Sequence, residues 1–305
     1  MYELIIVGGG PAGMTAAVYA ARKKINAVLL SKDLGGQVLW TLDVENYMGY
    51  QYIEGAELMR KFEEQVKQFS LEQKIGQGAV SLSRLDGGFE VRTDNGEVHQ
   101  AKAVIVATGK RPLQLDVPGE ERLKGRGVSY CAICDGPLFS GEKVAVIGGG
   151  NSALEAADDM TRIGEHVHLI SLTPLTGDQI LIDKLKDASN LSIILGHEVV
   201  EIEGANRVEG IKIRDLKNGQ EKKIEVGAIF IEIGLAPNSE LAKGLTRLND
   251  LDEIEVNSTC ETGVPGLFAA GDVANVPEKQ IVVAAAEGAK AALQAHRYLQ
   301  RLQGG

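Results

Sequence analysis

Glu3-Leu4-Ile5-Ile6-Val7-Gly8-Gly9-Gly10-Pro11-Ala12-Gly13 carries an apolar run straight into a glycine-rich turn, and the alanine-rich stretch Met14 to Ala21 follows. A short apolar run, such a turn and then helical spacing read as strand, phosphate-binding turn and helix. The order returns downstream, where Lys143 to Ile147 enters Gly148-Gly149-Gly150-Asn151-Ser152-Ala153 and the helical pattern Leu154 to Arg162 follows. The second turn begins 140 positions after the first (148 minus 8). One such turn is weak evidence of a ligand. Two in matching context make binding of at least one dinucleotide the expectation.

The segments beyond each turn are also alike. Phe89 to Arg92 and Val98 to Gln100 flank the turn signal Asp94-Asn95-Gly96, and the buried-strand run Ala103 to Ala107 comes next. In the second copy Gly210 to Arg214 and Lys222 to Glu225 flank Asn218-Gly219, and Ala228 to Ile233 runs into Gly234. Each copy reads as a βαβ start, a hairpin and a returning parallel strand. The fold class expected is therefore α/β, with two Rossmann-like, doubly wound, three-layer nucleotide-binding domains and ligands at the carboxyl ends of their strands. At 305 residues the chain is long enough for two cores.

Glycine lets the turn bend tightly and lets backbone N–H groups approach a pyrophosphate at a helix N-terminus. Neither copy closes its second strand with an acid. The strands end at Leu30-Ser31 and Ile170-Ser171, so the usual acceptor for a ribose 2′-hydroxyl is missing from both.

Between the copies stands Ser129-Tyr130-Cys131-Ala132-Ile133-Cys134-Asp135-Gly136-Pro137. Two intervening residues bring Cys131 and Cys134 within reach of one disulfide, and a thiolate there can be stabilised by its neighbour and by a helix N-terminus. A reversible dithiol is the leading reading. A zinc site, a static disulfide and two unrelated buried thiols stay open beside it, although no histidine stands at ligand spacing to a second cysteine pair and no metal is expected. Asp135 either delivers a proton to a departing thiolate or caps its loop. Cys260 is isolated and reads as core filling.

The 32 basic against 42 acidic residues, a formal charge of −10, argue against a phosphate-tracking surface, so no nucleic-acid partner is expected. No window is apolar enough for a membrane span and the N-terminus lacks a signal-peptide pattern, which together with three cysteines predicts a cytoplasmic protein.

Gly8 to Gly13, Gly35-Gly36-Gln37, Glu45-Asn46-Tyr47, Ala107-Thr108-Gly109, Cys131 to Pro137, Gly148 to Ala153 and Gly271-Asp272 stand in an order that resembles the low-molecular-weight thioredoxin reductases over nearly the whole chain. The segment from Gly234-Leu235 through Cys260-Glu261-Thr262 to Gly271-Asp272 also resembles the flavoprotein component of alkyl hydroperoxide reductases. The resemblance implies that FAD is held by Gly8, Gly10, Pro11, Ala12 and Gly13 at its pyrophosphate. Gly36, Gln37, Asn46, Thr108, Gly109, Gly271, Asp272 and Gln280 would complete the cradle, with Gln37, Asn46 and Gln280 near the flavin. It implies an FAD domain of residues 1–113 and 242–305 and an inserted, nicotinamide-domain-like module of residues 114–241 that carries the CxxC and turns between flavin and partner. It assigns Cys134 to the flavin side, Cys131 to attack on the partner disulfide and Asp135 to the proton. The expected function is thus FAD-dependent reduction of a thioredoxin-like protein by a homodimer. A reductase for a peroxiredoxin system and a flavin–dithiol redox sensor are the alternatives.

The electron donor divides the expectations. Gly148, Gly150, Asn151, Ser152 and Ala153 could hold NAD(P)H, yet Ser171-Leu172-Thr173-Pro174-Leu175-Thr176-Gly177-Asp178 offers none of the arginines that grip a 2′-phosphate in NADPH-using relatives. Some relatives lacking these residues take electrons from ferredoxin. Arg22-Lys23-Lys24, or Lys110-Arg111 with Arg122, Lys124 and Arg126, are the basic clusters such a donor could use.

Overall fold

The computed structural model describes residues 1–40, 43–44 and 46–303, the side chains of Trp40, Asp43 and Cys134 excepted. The chain forms two compact units, Met1–Arg111 with Ala236–Gly305, and Pro112–Leu235.

In the first unit the run around Ile5 becomes the strand Tyr2–Val7, which pairs in parallel with Ala27–Ser31 on one side and Val98–Val106 on the other. Glu72–Ile75 extends the sheet beyond Ala27–Ser31, and Leu267–Ala269 adds a further parallel strand beside Val98–Val106. The antiparallel strands Gly88–Thr93 and Ala79–Leu85 complete a seven-stranded sheet. Alternate residues feed opposite faces, as strand geometry requires. Leu4, Ile6, Leu29 and Ile105 pack under the helices Pro11–Arg22 and Ile281–Gln303, while Ile5, Val7, Leu30 and Val106 pack against Ile254, Val273 and the antiparallel strands.

The second unit repeats the plan. Val128–Ser129, Ala228–Ile231, Lys143–Ile147, His166–Ser171 and Leu191–Leu195 form a five-stranded parallel sheet. Val144 and Val146 face the helix Asn151–Ile163, and Ala145 and Ile147 face the three antiparallel strands His197–Glu203, Gly210–Asp215 and Glu221–Ile224.

Three details depart from the sequence reading. The helices begin at Pro11 and Asn151, directly after Gly10 and Gly150 in extended conformation, because the turn glycine already serves as cap in both and, in the first, proline is well suited to the first helical position. Val98 to Gln100 and Ala103 to Ala107 are one strand, Val98–Val106, whose first half pairs antiparallel and whose second half pairs parallel. In the second copy Gly227, with its N–H on the Lys143 carbonyl, separates Glu221–Ile224 from Ala228–Ile231, so the antiparallel strands detach as their own sheet.

Gly8 and Gly148 fix both turns. Their φ angles are +111° and +145°, and a Cβ on either would lie 2.2 Å from a neighbouring carbonyl oxygen, that of Ala107 and of Glu232 respectively. Gly10 has open space where a Cβ would point. Gly8→Ala and Gly148→Ala should each cost about 2–4 kcal/mol of stability, whereas Gly10→Ala should stay within about 1 kcal/mol of the parent. Thermal unfolding of the flavin-free proteins checks this ordering.

Candidate functional site

The residues expected to hold a flavin nucleotide converge in the first unit. The N–H of Gly35 donates to the Gly9 carbonyl at 2.8 Å, which folds the segment after Ser31 back over the glycine turn. Gly36, at φ +57°, would place a Cβ 3.6 Å from the Gly10 Cα, so the two glycines face each other. Gln37 Nε2 donates to Asp272 Oδ2 at 3.4 Å, and Asn46 Nδ2 donates to Gln280 Oε1 at 3.1 Å. Thr108 and Gly109 are tied to Asn238. The Thr108 hydroxyl donates to its carbonyl at 2.6 Å, and the Asn238 N–H donates to the Gly109 carbonyl at 2.9 Å. Glu45 of the sequence motif lies outside the described residues.

Burial holds the Asp272 carboxyl above the usual carboxylate range against the pull of Lys279, Lys110 and the Gln37 amide. Glu287, on the helix Ile281–Gln303, accepts the Gly271 N–H at 3.0 Å and is likewise raised by burial. The sequence reading passed over this glutamate. It also missed a compact ion cluster in which Lys110 and Lys279 both reach Glu253 Oε1, at 2.9 and 2.8 Å, while Asn249 donates to Oε2. Burial works against that carboxylate, but the hydrogen bonds from Lys279, Lys110 and Asn249 outweigh it and hold the acid down at about 2. Lys279 also donates to the carbonyls of Asp272 and Ala274, so the cluster braces the loop that presents Asp272. No local sequence signal links positions 110, 253 and 279; only the fold joins them.

These residues fit a flavin nucleotide. The helix Pro11–Arg22 starts at a glycine with nothing above it, which leaves its first N–H groups approachable by a pyrophosphate, and the half-buried Asp272 carboxyl with the Gln37 amide supplies polar partners beside it.

In the second unit the glycine turn has the same construction. The N–H groups of Thr176 and Gly177 donate to the Gly149 carbonyl at 2.7 and 3.2 Å, and Asn151 Oδ1 accepts the Asp178 N–H at 2.7 Å. Ser171 is buried at the strand end, as Ser31 is in the first unit. The segment between Ser171 and Asp178 brings hydroxyls and a carboxylate to the turn, and no cation.

Cys131 lies two residues past the end of the strand Val128–Ser129, and Ser129 fixes it twice: the Cys131 N–H donates to Ser129 Oγ at 3.1 Å, and that hydroxyl donates to the Cys131 carbonyl at 3.2 Å. Cys131 is disulfide-bonded, which disposes of the reading as unrelated buried thiols. The side chain of Cys134, on the short helix Ala132–Asp135, is outside the described residues. The Asp135 N–H closes that turn on the Cys131 carbonyl at 3.1 Å, and its side chain is half-buried. Tyr130 anchors the segment through a 2.7 Å hydrogen bond to the buried Glu120, whose carboxylate also accepts the N–H groups of Leu115 and Asp116. Cys260 is a free, fully buried thiol pushed up to about 11 by burial, as core filling requires. Among the described residues no cluster of three or more metal-ligating side chains exists, and no helix is long and apolar enough to cross a membrane.

The basic clusters divide. Lys110 is committed to Glu253, Arg111 pairs with Glu240 at 2.6 Å, and Arg122 donates to the carbonyls of Gly204 and Ala205. They are structural ties as much as surface charge.

The family model for pyridine nucleotide-disulphide oxidoreductases matches residues 2–288. The F component of the alkyl hydroperoxide reductase of Escherichia coli (strain K12) is 44% identical over 305 residues, covering 98% of this chain and 58% of that protein. An NADH dehydrogenase of Bacillus subtilis (strain 168) is 42% identical over 301 residues, covering 98% of this chain and 59% of that protein. The chain thus spans less than two thirds of the curated relatives it matches. The crystal structure of Lactococcus lactis thioredoxin reductase in its FR conformation superposes with a TM-score of 0.84 at 33% identity, covering 99% of this chain and 100% of that one. The matched family, the paired glycine turns and the bonded Cys131 agree, and the chain belongs to the pyridine nucleotide-disulphide oxidoreductase family.

Proposed function

We propose that the chain holds FAD in the first unit and passes electron pairs from NADH to a disulfide closed by Cys131 and Cys134, which then reduces a thioredoxin-like protein. The observation that carries this reading is the disulfide at Cys131, held by Ser129 at the carboxyl edge of the sheet whose strand Lys143–Ile147 runs into a nucleotide-type glycine turn. Bound FAD supplies two-electron chemistry between a nicotinamide and a disulfide. The chain's own residues do the rest. Gly8, Gly10, Pro11, Ala12 and Gly13 hold the pyrophosphate, Gly36, Thr108 and Gly109 close around it, Gly271 and Asp272 take the ribityl side, and Gln37, Asn46 and Gln280 orient the ring. Gly148, Gly150, Asn151, Ser152 and Ala153 receive the nicotinamide dinucleotide.

NADH is favoured over NADPH because a 2′-phosphate needs a cation and the segment from Ser171 to Asp178 has none. An NADH dehydrogenase at 42% identity supports the same choice. The pairing of Lys110 with Glu253 and of Arg111 with Glu240 weakens one of the two basic clusters a ferredoxin could use. In the transfer, Cys134 receives electrons, Cys131 attacks the partner disulfide, and Asp135 moves the proton. The 44% identity to a component of an alkyl hydroperoxide reductase supports a second reading, in which the partner belongs to a peroxide-removing system. We take the working form to be a cytoplasmic homodimer.

The purified protein should be yellow. In anaerobic titrations NADH should bleach the flavin absorbance, NADPH should need at least about tenfold more ligand because the phosphate goes unpaired, and reduced ferredoxin should be slow. Bleaching by ferredoxin alone would overturn the donor assignment.

Cys134→Ser should keep its flavin and lose at least about 100-fold in disulfide turnover. A variant that still turns over thioredoxin at the parent rate would remove the pair from the route.

A further inference from the structure

Glu232 has no task in the reading above, yet it touches both chemical elements of the second unit. It follows the apolar strand Ala228–Ile231, and its N–H donates to the Ile147 carbonyl at 2.8 Å, which pins it at the carboxyl edge of the sheet. Its Oε1 accepts a long hydrogen bond, 3.5 Å, from the N–H of Ala132, the residue immediately after Cys131. A further hydrogen bond joins it to Ser152 of the glycine-turn helix. The carboxyl is therefore anchored one peptide away from a disulfide-bonded cysteine and at the start of the helix Asn151–Ile163.

We propose that Glu232 is the proton-holding, positioning neighbour of the Cys131 disulfide, taking up a proton when that disulfide is reduced and releasing it on reoxidation. This deepens the proposed dithiol route and rests on it. The S–S bond breaks as it accepts two electrons, which bound FAD would supply in the proposed route and which two glutathione thiols supply in the test below. One sulfur takes a proton and becomes a thiol, the other keeps its electron pair as a thiolate, and the second proton goes to the Glu232 carboxylate beside that anion. Two electrons and two protons enter together, so little net charge accumulates in a partly buried site.

The electrostatics suit the task. Burial disfavours the carboxylate and outweighs its hydrogen bonds to Ala132 and Ser152, raising the acid to about 7, and Glu155 on the helix Asn151–Ile163 pushes the same way. Among the described residues Glu155 is the charged group whose field bears on it. The CxxC segment presents the Ala132 amide and the Cys131 disulfide, and the strand Lys143–Ile147 presents backbone. Above about pH 7 Glu232 is thus ionised while the disulfide is closed, and a thiolate formed beside it raises it further, so it gains a proton.

Equilibration with a glutathione redox buffer, with alkylation of Cys131 counted by mass spectrometry, tests this on the full chain. If reduction leaves one thiolate, the exchange with two glutathiones releases one proton, and the reduced fraction's equilibrium constant climbs about tenfold per pH unit. With Glu232 capturing that proton, the climb should stop above about pH 7 in the parent protein. Glu232→Gln should keep climbing to about pH 8, ending about tenfold above the parent trend. Glu232→Asp should restore a bend. A parent profile without a bend, or the same bend in Glu232→Gln, would overturn the proposal. Should the glutamine variant fail to fold, the parent bend and its displacement in Glu232→Asp still decide. A Cys131 disulfide that glutathione never opens would instead sink the dithiol route beneath it.

Discussion

The structure depends on a steric constraint met twice. Where a central parallel strand ends, the chain must leave the sheet within one peptide of a neighbouring carbonyl oxygen, that of Ala107 beside Gly8 and that of Glu232 beside Gly148. A side chain at either place would collide with backbone that the sheet holds fixed, and the required φ lies in the region that glycine alone occupies without strain. Because the exit is so tight, the next residues enter a helix at once, and the start of that helix opens at the carboxyl edge of the sheet. The site follows from this exit.

Around the two exits the units diverge in what they gather. In the first, an unbroken Val98–Val106 lets one sheet carry both parallel and antiparallel strands, and the chain's return from Ala236 brings Asp272, Lys279 and Glu287 to the turn. Two lysines on Glu253 fix the loop that presents the half-buried Asp272, whose carboxyl is shifted upward by burial. In the second, the break at Gly227 frees the antiparallel strands, and the sheet edge receives Cys131 together with Glu232. One architecture thus sets Gln37 and Asp272 beside a glycine turn in one copy and a disulfide-bonded cysteine near a raised carboxyl in the other.

The placement of polar groups follows the cost of burying charge. Glu253 is ionised because two ammonium groups and an amide surround it, whereas Glu232, with amide and hydroxyl partners, and Glu287, with the Gly271 N–H and Lys290 at 3.8 Å, are raised by burial. Glu120 spends both oxygens on Tyr130 and two backbone N–H groups, and so turns the approach to Cys131 into a fixed frame. Cys260, with burial pushing its thiol up to about 11, is chemically quiet by the same physics.

The sequence by itself determined the duplicated strand–turn–helix units, the CxxC between them, the glycine positions and the absence of a cation after Ser171, because each of these is written in neighbouring residues and in the periods of helix and strand. It also brought Gln37, Asn46, Asp272 and Gln280 to one cradle by resemblance to a known family, and the fold does set Gln37 on Asp272 and Asn46 on Gln280. Only the tertiary structure decided the Lys110–Glu253–Lys279 cluster, the Glu287 hold on Gly271 and the reach of Glu232 to the residue after Cys131. Those contacts join positions 16 to 143 residues apart, and a pairing at such separation leaves no local period or spacing. It exists because parallel strands deliver their carboxyl ends to one edge, where distant side chains meet and burial sets their charge.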